Sequence, residues 1–232
     1  MAEDRTRVMA ILAHPDDAEF TCAGTVARWV DEGREVIYLV CTNGDKGTSD
    51  PEMTPERLAR IREQEQREAA QVLGVKGVVF LGHPDGGLED TPQFRGEVVR
   101  EIRRYRPDIV LTSDPYRRYM QHRDHRMAGI VALDAVYPYA RDHLFYPEHL
   151  AQGLQPHKVK EVYIWGSDNP NTFIDITATF ERKLEALSRH QSQFRSWRWE
   201  QVKERMRRMA ASYGQGQGME LAEAFYRIEY PW

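Results

Sequence analysis

The sequence VMAILAH at residues 8–14 is a short, nearly continuous apolar run that ends in a histidine. Such a run is typical of a strand that is buried on both faces of a parallel sheet. Residues 19–32 follow with apolar side chains at helical spacing and a stop at Gly33, and a second apolar run, VIYLVC, occupies residues 36–41. Two buried strands joined by a helix predict a βαβ unit with a right-handed crossover.

The alternation of strand and helix patterns continues through the first half of the chain. Thr54 followed by Pro55 is typical of an N-cap and the first position of a helix. Further strands are predicted at residues 78–81 and 109–113, with a helix at 93–105 between them. The sequence therefore predicts an α/β fold, with a Rossmann-like, mainly parallel sheet flanked by helices.

The second half of the chain is predicted to add a C-terminal extension of extra strands and a helix to this core. The predicted elements are strands at residues 159–165 and 172–176 and a helix at residues 180–193. A length of 232 residues fits one elaborated domain better than two, because domains of ~100–200 residues are the commonest. We expect a single domain over residues 1–232, with an α/β core at 1–134 and a variable loop, strands and C-terminal helix at 135–232.

The composition argues against several classes of protein. Lys and Arg total 32 and Asp and Glu total 36, and the resulting net charge of −4 is not that of a dedicated nucleic-acid-binding domain. No apolar run approaches the ~18 residues that span a bilayer, and the N-terminus has no signal-peptide pattern, so we expect a cytoplasmic protein without a membrane partner. The two cysteines, Cys22 and Cys41, cannot form a disulfide framework.

Three tryptophans near the C-terminus bear on assembly. Trp197, Trp199 and Trp232 either form a subunit interface or pack on their own domain. The first of these alternatives leads us to expect a homo-oligomer, whose number of subunits the sequence leaves open.

Polar residues follow the predicted strands at their carboxyl ends, where open α/β sheets bind ligands. The four segments are HPDD at residues 14–17, TNGD at 42–45, GHPD at 82–85 and the stretch 114–125. The first of them lacks the Gly-x-Gly-x-x-Gly phosphate loop, and the sequence contains no Walker-type Gly-Lys-Ser/Thr. A nucleotide-binding domain is therefore disfavoured.

The first and fourth segments hold the imidazoles and carboxylates that bind divalent metal ions. If the chain turns helically after the first strand, His14 and Asp17 face the same way and Asp16 points elsewhere. His122 and His125 have the same spacing, so one or both could complete the site. Asp16 is then free to accept a proton from a water molecule whose pKa the metal lowers. Fe(II) oxygenases use a similar ligand set, but this additional carboxylate favours a hydrolase over an oxygenase. Without a metal, the same residues would be hydrogen-bonded loop groups.

These residues resemble the LmbE-like or PIG-L family of zinc-dependent N-acetylglucosaminyl deacetylases. The matching motifs are AHPDD at residues 13–17, TNGDKG at 42–47, Arg62-x-x-Glu65-x-x-x-Ala69, PDGGL at 84–88 and HRDH at 122–125. The resemblance covers roughly the first 130 residues and thins beyond Asp134. It implies one Zn²⁺ per chain with the ligands His14, Asp17 and His125, and Asp16 as the general base.

The resemblance also implies roles around this centre. His122 would stand off the metal and polarise the carbonyl or protonate the departing amine, with Asp124 orienting its ring. Arg62, Asp85 and the weaker match Thr21 would bind substrate. Three of these residues also have purely structural interpretations: a surface ion pair for Arg62, a turn residue for Asp85 and a helix-terminal acid for Asp124.

The implied activity is removal of the N-acetyl group from an N-acetylglucosamine-type amino sugar or glycoconjugate. Two alternatives stay open: an amidase acting on thiol-conjugated amino sugars, and a non-hydrolytic protein, either an Fe(II) oxygenase or a carbohydrate-binding module with a vestigial metal site. Two further histidines stand outside the implied ligand set. His83 is expected to form a pocket wall or to donate to substrate, and His190 either lies near the site or packs in the core.

Overall fold

The computed structural model describes residues 5–119, 121–194 and 199–232. The strands of these ranges are β1 (Arg7–Leu12), β2 (Glu35–Thr42), β3 (Gly77–His83), β4 (Ile109–Ser113), β5 (Glu161–Trp165), β6 (Thr172–Asp175) and β7 (Ala222–Glu229). The helices are α1 (Asp17–Thr21), α2 (Ala23–Asp31), α3 (Pro55–Leu73), α4 (Pro92–Tyr105), α5 (Arg123–Asp134), α6 (Glu148–Ala151), α7 (Phe180–Leu187) and α8 (Trp199–Gly214). Within the described residues the strands form one sheet in the order β3-β2-β1-β4-β5-β7-β6.

The first five strands are parallel: the four strands of the predicted core, and β5 of the C-terminal extension, for which no direction was predicted. Val8 of β1 lies opposite Val36 of β2 on one side and Ile109 of β4 on the other. Strand order therefore reverses direction at β1, and a crevice opens there at the carboxyl ends of β1 and β4. The polar segments that follow these two strands meet in that crevice.

Strand β1 is buried on both faces, which explains its unbroken apolar sequence. Val8, Ala10 and Leu12 belong to a core cluster that includes residues of α2 and α3. Met9 and Ile11 point to the other face and pack with residues of α4 and α5. Burying such apolar side chains is the main favourable contribution to folding.

Local sequence signals account for the helix boundaries. The Thr54 hydroxyl accepts a hydrogen bond from the backbone N–H of Arg57 at the start of α3, and Gly74 ends the helix at a φ of 79°. The helix predicted over 19–32 is divided instead into α1 and α2, because Cys22 between them has the non-helical φ of −127°. The helix predicted over 180–193 ends at Leu187.

The C-terminal region contains elements that were not predicted, among them strand β7 and helix α8. Strand β7 inserts between β5 and β6 and is antiparallel to both. Glu223 of β7 is buried, and its carboxylate accepts hydrogen bonds from Lys183 of α7 and from the backbone N–H groups of Gly24 and Thr25. These contacts join the C-terminal strand to α2 in the first half of the chain. Helix α8 precedes β7 and lies beside the crevice.

Two of the three tryptophans pack on their own chain. Trp232 donates its ring N–H to the carbonyl of Val159, and Trp199 contacts the ring of Phe194. Trp197 lies outside the described residues, so the homo-oligomer stays a prediction. None of the helices in the described part of the chain is both long and apolar enough to cross a bilayer.

Candidate active site

The two stretches predicted to share an ion meet at the carboxyl ends of β1 and β4. His125 Nε2, in the first turn of α5, is 2.9 Å from Asp17 Oδ1, and His14 Nδ1 is 3.9 Å from the same oxygen. One potential ligand atom from each of these residues lies within 4.8 Å of the other two. Two imidazoles and a carboxylate at these separations can hold one metal ion and leave a position open.

The start of α1 orients Asp17. Its Oδ2 accepts a hydrogen bond of 2.9 Å from the backbone N–H of His14, while Oδ1 faces His125. Thr21, which was predicted to bind substrate, donates its hydroxyl proton to the carbonyl of Asp17 at 2.6 Å. The hydroxyl of Thr21 therefore stabilises α1. Because its single proton is already donated, it can only accept a hydrogen bond from a ligand.

The second ring nitrogen of His14 contacts two carboxylates. His14 Nε2 is 3.0 Å from Asp85 Oδ1 and 3.2 Å from Asp124 Oδ2. Histidines that bind metals usually donate the other ring N–H to a carboxylate, which fixes the tautomer and the orientation of the ring. The arrangement leaves Nδ1 of His14 as its metal-binding atom.

The position of Asp124 corrects one expectation. We expected its carboxylate to orient His122, but the carboxylate faces His14 and accepts hydrogen bonds from the backbone N–H groups of Gly86 and Leu88. Asp124 bonds to His122 through its backbone N–H instead, at 3.2 Å from Nδ1. The Asp124 carboxylate thus bonds to His14, which is distant in sequence, and not to its near neighbour His122.

Asp16 adopts a conformation that is rare for a residue with a side chain. It precedes α1 with a φ of 99°, in the left-handed region, and its Oδ2 lies 3.1 Å from Nη2 of Arg62. Burial raises the pKa of Asp16, while the guanidinium of Arg62 opposes the shift. The carboxylate is thus paired with Arg62, and it does not belong to the group formed by His14, Asp17 and His125.

Arg62 of α3 bonds to the loop after β1 and to the loop after β2. It is buried, so its interpretation as a surface charge is wrong. Besides the Asp16 carboxylate, it donates to the carbonyl of Pro15 at 2.6 Å and to that of Gly44 at 3.0 Å. A Cβ atom at position 44 would lie 2.6 Å from the guanidinium, and the φ of Gly44 is 63°, so the loop after β2 requires glycine here.

The electrostatic field of the site favours a positive charge. Burial lowers the pKa of His14, but hydrogen bonds to carboxylates, that of Asp124 first, outweigh it and raise the pKa to about 12. The charge of Asp17 likewise raises the pKa of His125. Burial raises the pKa of Asp17, yet the two imidazoles outweigh it and hold the pKa well below its usual value. A divalent cation would satisfy this excess of negative charge.

A cavity of about 520 Å³ lies over the site. All the predicted site residues except Asp124 line it. Its lining also includes apolar side chains from the helices α1 and α8, namely Phe20, Val202, Met206 and Met209. No motif in the sequence indicated that α8 reaches the site, because its apolar residues show only the ordinary spacing of a packed helix.

The two remaining histidines differ in their surroundings. His83 Nε2 lies 2.6 Å from Glu97 Oε2 of α4, its ring packs against Phe94, and it is not among the residues that line the cavity. His190 is fully buried and contacts Glu19 at 3.2 Å.

Gln66 was not predicted as a site residue, yet its side chain bonds to the backbone of Asp16. Its position one helical turn after Arg62 was the available signal.

The chain is similar in sequence to a known family and to several known proteins. The family model for PIG-L, described as GlcNAc-PI de-N-acetylase, matches residues 9–136. The diacetylchitobiose deacetylase of Thermococcus kodakarensis is 38% identical over 220 residues, which cover 95% of this chain and 82% of that protein. The mycothiol S-conjugate amidase of Streptomyces coelicolor is 33% identical over 229 residues, covering 88% of this chain and 74% of that protein.

A solved structure is similar over nearly the whole chain. The N,N'-diacetylchitobiose deacetylase from Pyrococcus horikoshii, complexed with its inhibitor MPG, superposes with a TM-score of 0.92 at 33% identity. The match covers 97% of this chain and 85% of that one. The similarity therefore includes the C-terminal region, where the sequence motifs were weakest.

Proposed function

This chain belongs to the PIG-L (LmbE-like) deacetylase family, and we propose that it hydrolyses the acetamide of an N-acetylglucosamine-type amino sugar with one bound Zn²⁺. The observation that carries the proposal is the convergence of His14, Asp17 and His125, with the carboxylate of Asp16 left over beside them. A binding site alone would not need this additional base. The products are acetate and a free amine.

The donor set fits a zinc ion. His14 Nδ1, Asp17 Oδ1 and His125 Nε2 would hold it, and the raised pKa values of both histidines reflect a field that attracts a cation. When bound, zinc supplies Lewis acidity toward the substrate carbonyl and lowers the pKa of a water molecule. Nitrogen and oxygen ligands also suit other divalent metals, so the identity of the metal is part of the proposal.

Asp16 is the proposed general base. It accepts a proton from the water that attacks the acetamide carbon, and the proton is later delivered to the departing nitrogen as the C–N bond breaks. The guanidinium of Arg62 lies 3.1 Å from the carboxylate and helps to fix its orientation. A base positioned in this way needs no reorganisation before it acts.

His122 is the proposed donor to the substrate oxygen. Burial and the neighbouring histidines lower its pKa, so the ring is neutral near pH 7. Its Nδ1 accepts the backbone N–H of Asp124, which leaves the ring proton on Nε2. Nε2 can then donate to the carbonyl oxygen as that atom becomes negative in the transition state.

A panel of N-acetylated amino sugars tests the proposal. Purified protein should release acetate and amine from N-acetylglucosamine, chitooligosaccharides or an inositol-linked N-acetylglucosaminide. No acetate from any member of the panel would reject the deacetylase function.

A second candidate is an amidase on a thiol-conjugated amino sugar, which the similarity to the Streptomyces coelicolor protein favours. It breaks the same kind of bond, so one thiol conjugate belongs in the panel. Cleavage of that conjugate without acetate release from the other sugars would identify the amidase.

A further inference from the structure

Three fully buried polar side chains near the site have no part in the proposed chemistry. They are Glu19 of α1, Gln66 of α3 and His190, which follows α7. Burying such groups is unfavourable unless each finds hydrogen-bond partners. The three residues bond to one another and to Asp16, and among their side-chain nitrogens and oxygens only Nδ1 of His190 has no partner in the described part of the chain.

The contacts form an ordered series that ends at the backbone of Asp16. His190 Nε2 lies 3.2 Å from Glu19 Oε2, and Gln66 Nε2 donates to both oxygens of Glu19 at 3.1 and 3.2 Å. Gln66 Oε1 accepts the backbone N–H of Asp16 at 2.8 Å. We refer to His190, Glu19 and Gln66 as the Gln66 series.

The chemistry of these groups allows one orientation of the Gln66 amide. An ionised carboxylate only accepts hydrogen bonds, so the NH₂ group of Gln66 must face Glu19. The carbonyl oxygen of Gln66 must then face the N–H of Asp16. His190 supplies a further donor to Glu19 and completes the surroundings of that carboxylate.

Asp16 is the residue that needs such support. Its φ of 99° lies in a region that residues with a Cβ occupy only when the surrounding structure holds them there. Helix α3 holds the peptide from both sides: Arg62 bonds to the Pro15 carbonyl and to the Asp16 carboxylate, and Gln66 bonds to the Asp16 N–H. Arg62 and Gln66 are four residues apart and so share one face of the helix.

We propose that Gln66 is a positioning residue for Asp16, which it holds in the left-handed conformation, while Glu19 and His190 fix the orientation of the Gln66 amide. The inference rests on the proposed function, in which Asp16 is the base. Loss of the Gln66 bond lets the Asp16 peptide relax and moves its carboxylate, but leaves the metal ligands and the substrate contacts in place.

The substitution Gln66→Leu tests this, with Gln64→Leu as the matched control. Gln64 lies on the same helix but is exposed, and its side chain bonds to Glu68. We expect Gln66→Leu to lower kcat by about 10- to 100-fold, since small displacements of a catalytic group have effects of this order. KM and the metal content per chain should match the wild type, and Gln64→Leu should behave as the wild type in all three measurements.

Gln66→Asn is the second variant, in case the apolar side chain prevents folding. It keeps an amide beside Glu19 but is one methylene too short to reach Asp16 as well, and it should also lower kcat at unchanged metal content. Wild-type kcat in both variants would overturn the proposal. So would a loss of metal that parallels the loss of activity, because that result indicates a general structural role.

A crystal structure of the metal-loaded variant gives a readout independent of turnover. We expect Asp16 to leave the left-handed region in Gln66→Asn, and an unchanged φ would contradict the proposal. If wild-type protein releases no acetate from any amino sugar, the proposed function fails, whereas the conformation of Asp16 still tests the role of Gln66.

Discussion

His125 Nε2 lies 2.9 Å from Asp17 Oδ1, although 108 residues separate the two along the chain. The contact joins the first turn of α5 to the first residue of α1, each of which follows a neighbouring strand of the sheet. It follows from the reversal of strand order at β1, which brings the ends of β1 and β4 together. The proposed metal site is thus a consequence of the topology.

The two histidines of the HRDH motif should differ in metal binding. We expect His125→Ala to lose most of the bound metal, because it removes a ligand atom next to Asp17. His122→Ala should keep about one ion per chain and lose turnover, since its proposed role is donation to the substrate. Metal analysis of both purified variants checks this, and the reverse pattern would mean that ligand and donor had been exchanged.

Asp124→Asn should weaken metal binding without removing a ligand. The carboxylate contacts the second ring nitrogen of His14, and loss of such outer partners typically lowers metal affinity by about 10- to 100-fold. Competition with a chromogenic chelator measures the affinity. Asp134→Asn, at the far end of the same helix, serves as the control and should bind metal like the wild type.

Removal of the metal should abolish activity reversibly. Dialysis against a chelator, followed by dialysis into metal-free buffer, should reduce acetate release to background, because the Lewis acid is lost. Adding back about one equivalent of Zn²⁺ should restore the rate. Recovery with Fe²⁺ and not with Zn²⁺ would contradict the choice of zinc.

The buried ion pair between Lys183 and Glu223 should contribute strongly to stability. Lys183→Met leaves Glu223 buried without its cationic partner, which typically costs about 3–5 kcal/mol in the free energy of unfolding. The control is Arg189→Met, which breaks an exposed pair with Glu185 and should cost less than about 1 kcal/mol. Urea unfolding measures both, and equal small effects would refute the structural role of the buried pair.

The parallel core was predictable because its apolar runs are continuous and its helices begin and end with clear signals. Val8–Leu12 could be assigned to a doubly buried strand from its composition, and Thr54 and Gly74 mark the ends of α3. Strand β7 was missed because it carries Glu223, whose charge suggests exposure. Only the fold provides Lys183 and the backbone N–H groups that make its burial acceptable.

The ligand set of the site was predictable from the sequence, whereas the contacts around it were not. Spacing predicted that His14 and Asp17 face the same way and left His122 and His125 as candidates, and the family resemblance implied His125. The structure places His14, Asp17 and His125 within reach of one ion. The partners of Asp124 and Gln66 were not predicted, because the topology shows which loops meet but not which side chain of one loop faces which atom of another. Such contacts depend on the packing of α3 and α5 against the loops, which periodicity does not encode.

The most direct test of the account compares acetate release and metal content in the wild type and Asp16→Asn. Asn has nearly the same shape as Asp but cannot accept the proton, and loss of a general base costs about 10²- to 10⁴-fold in rate. We predict that Asp16→Asn binds as much metal as the wild type and turns over at least 100-fold more slowly, in keeping with that range. Full activity in this variant, at unchanged metal content, would contradict the central claim that Asp16 is the base beside a three-ligand metal site.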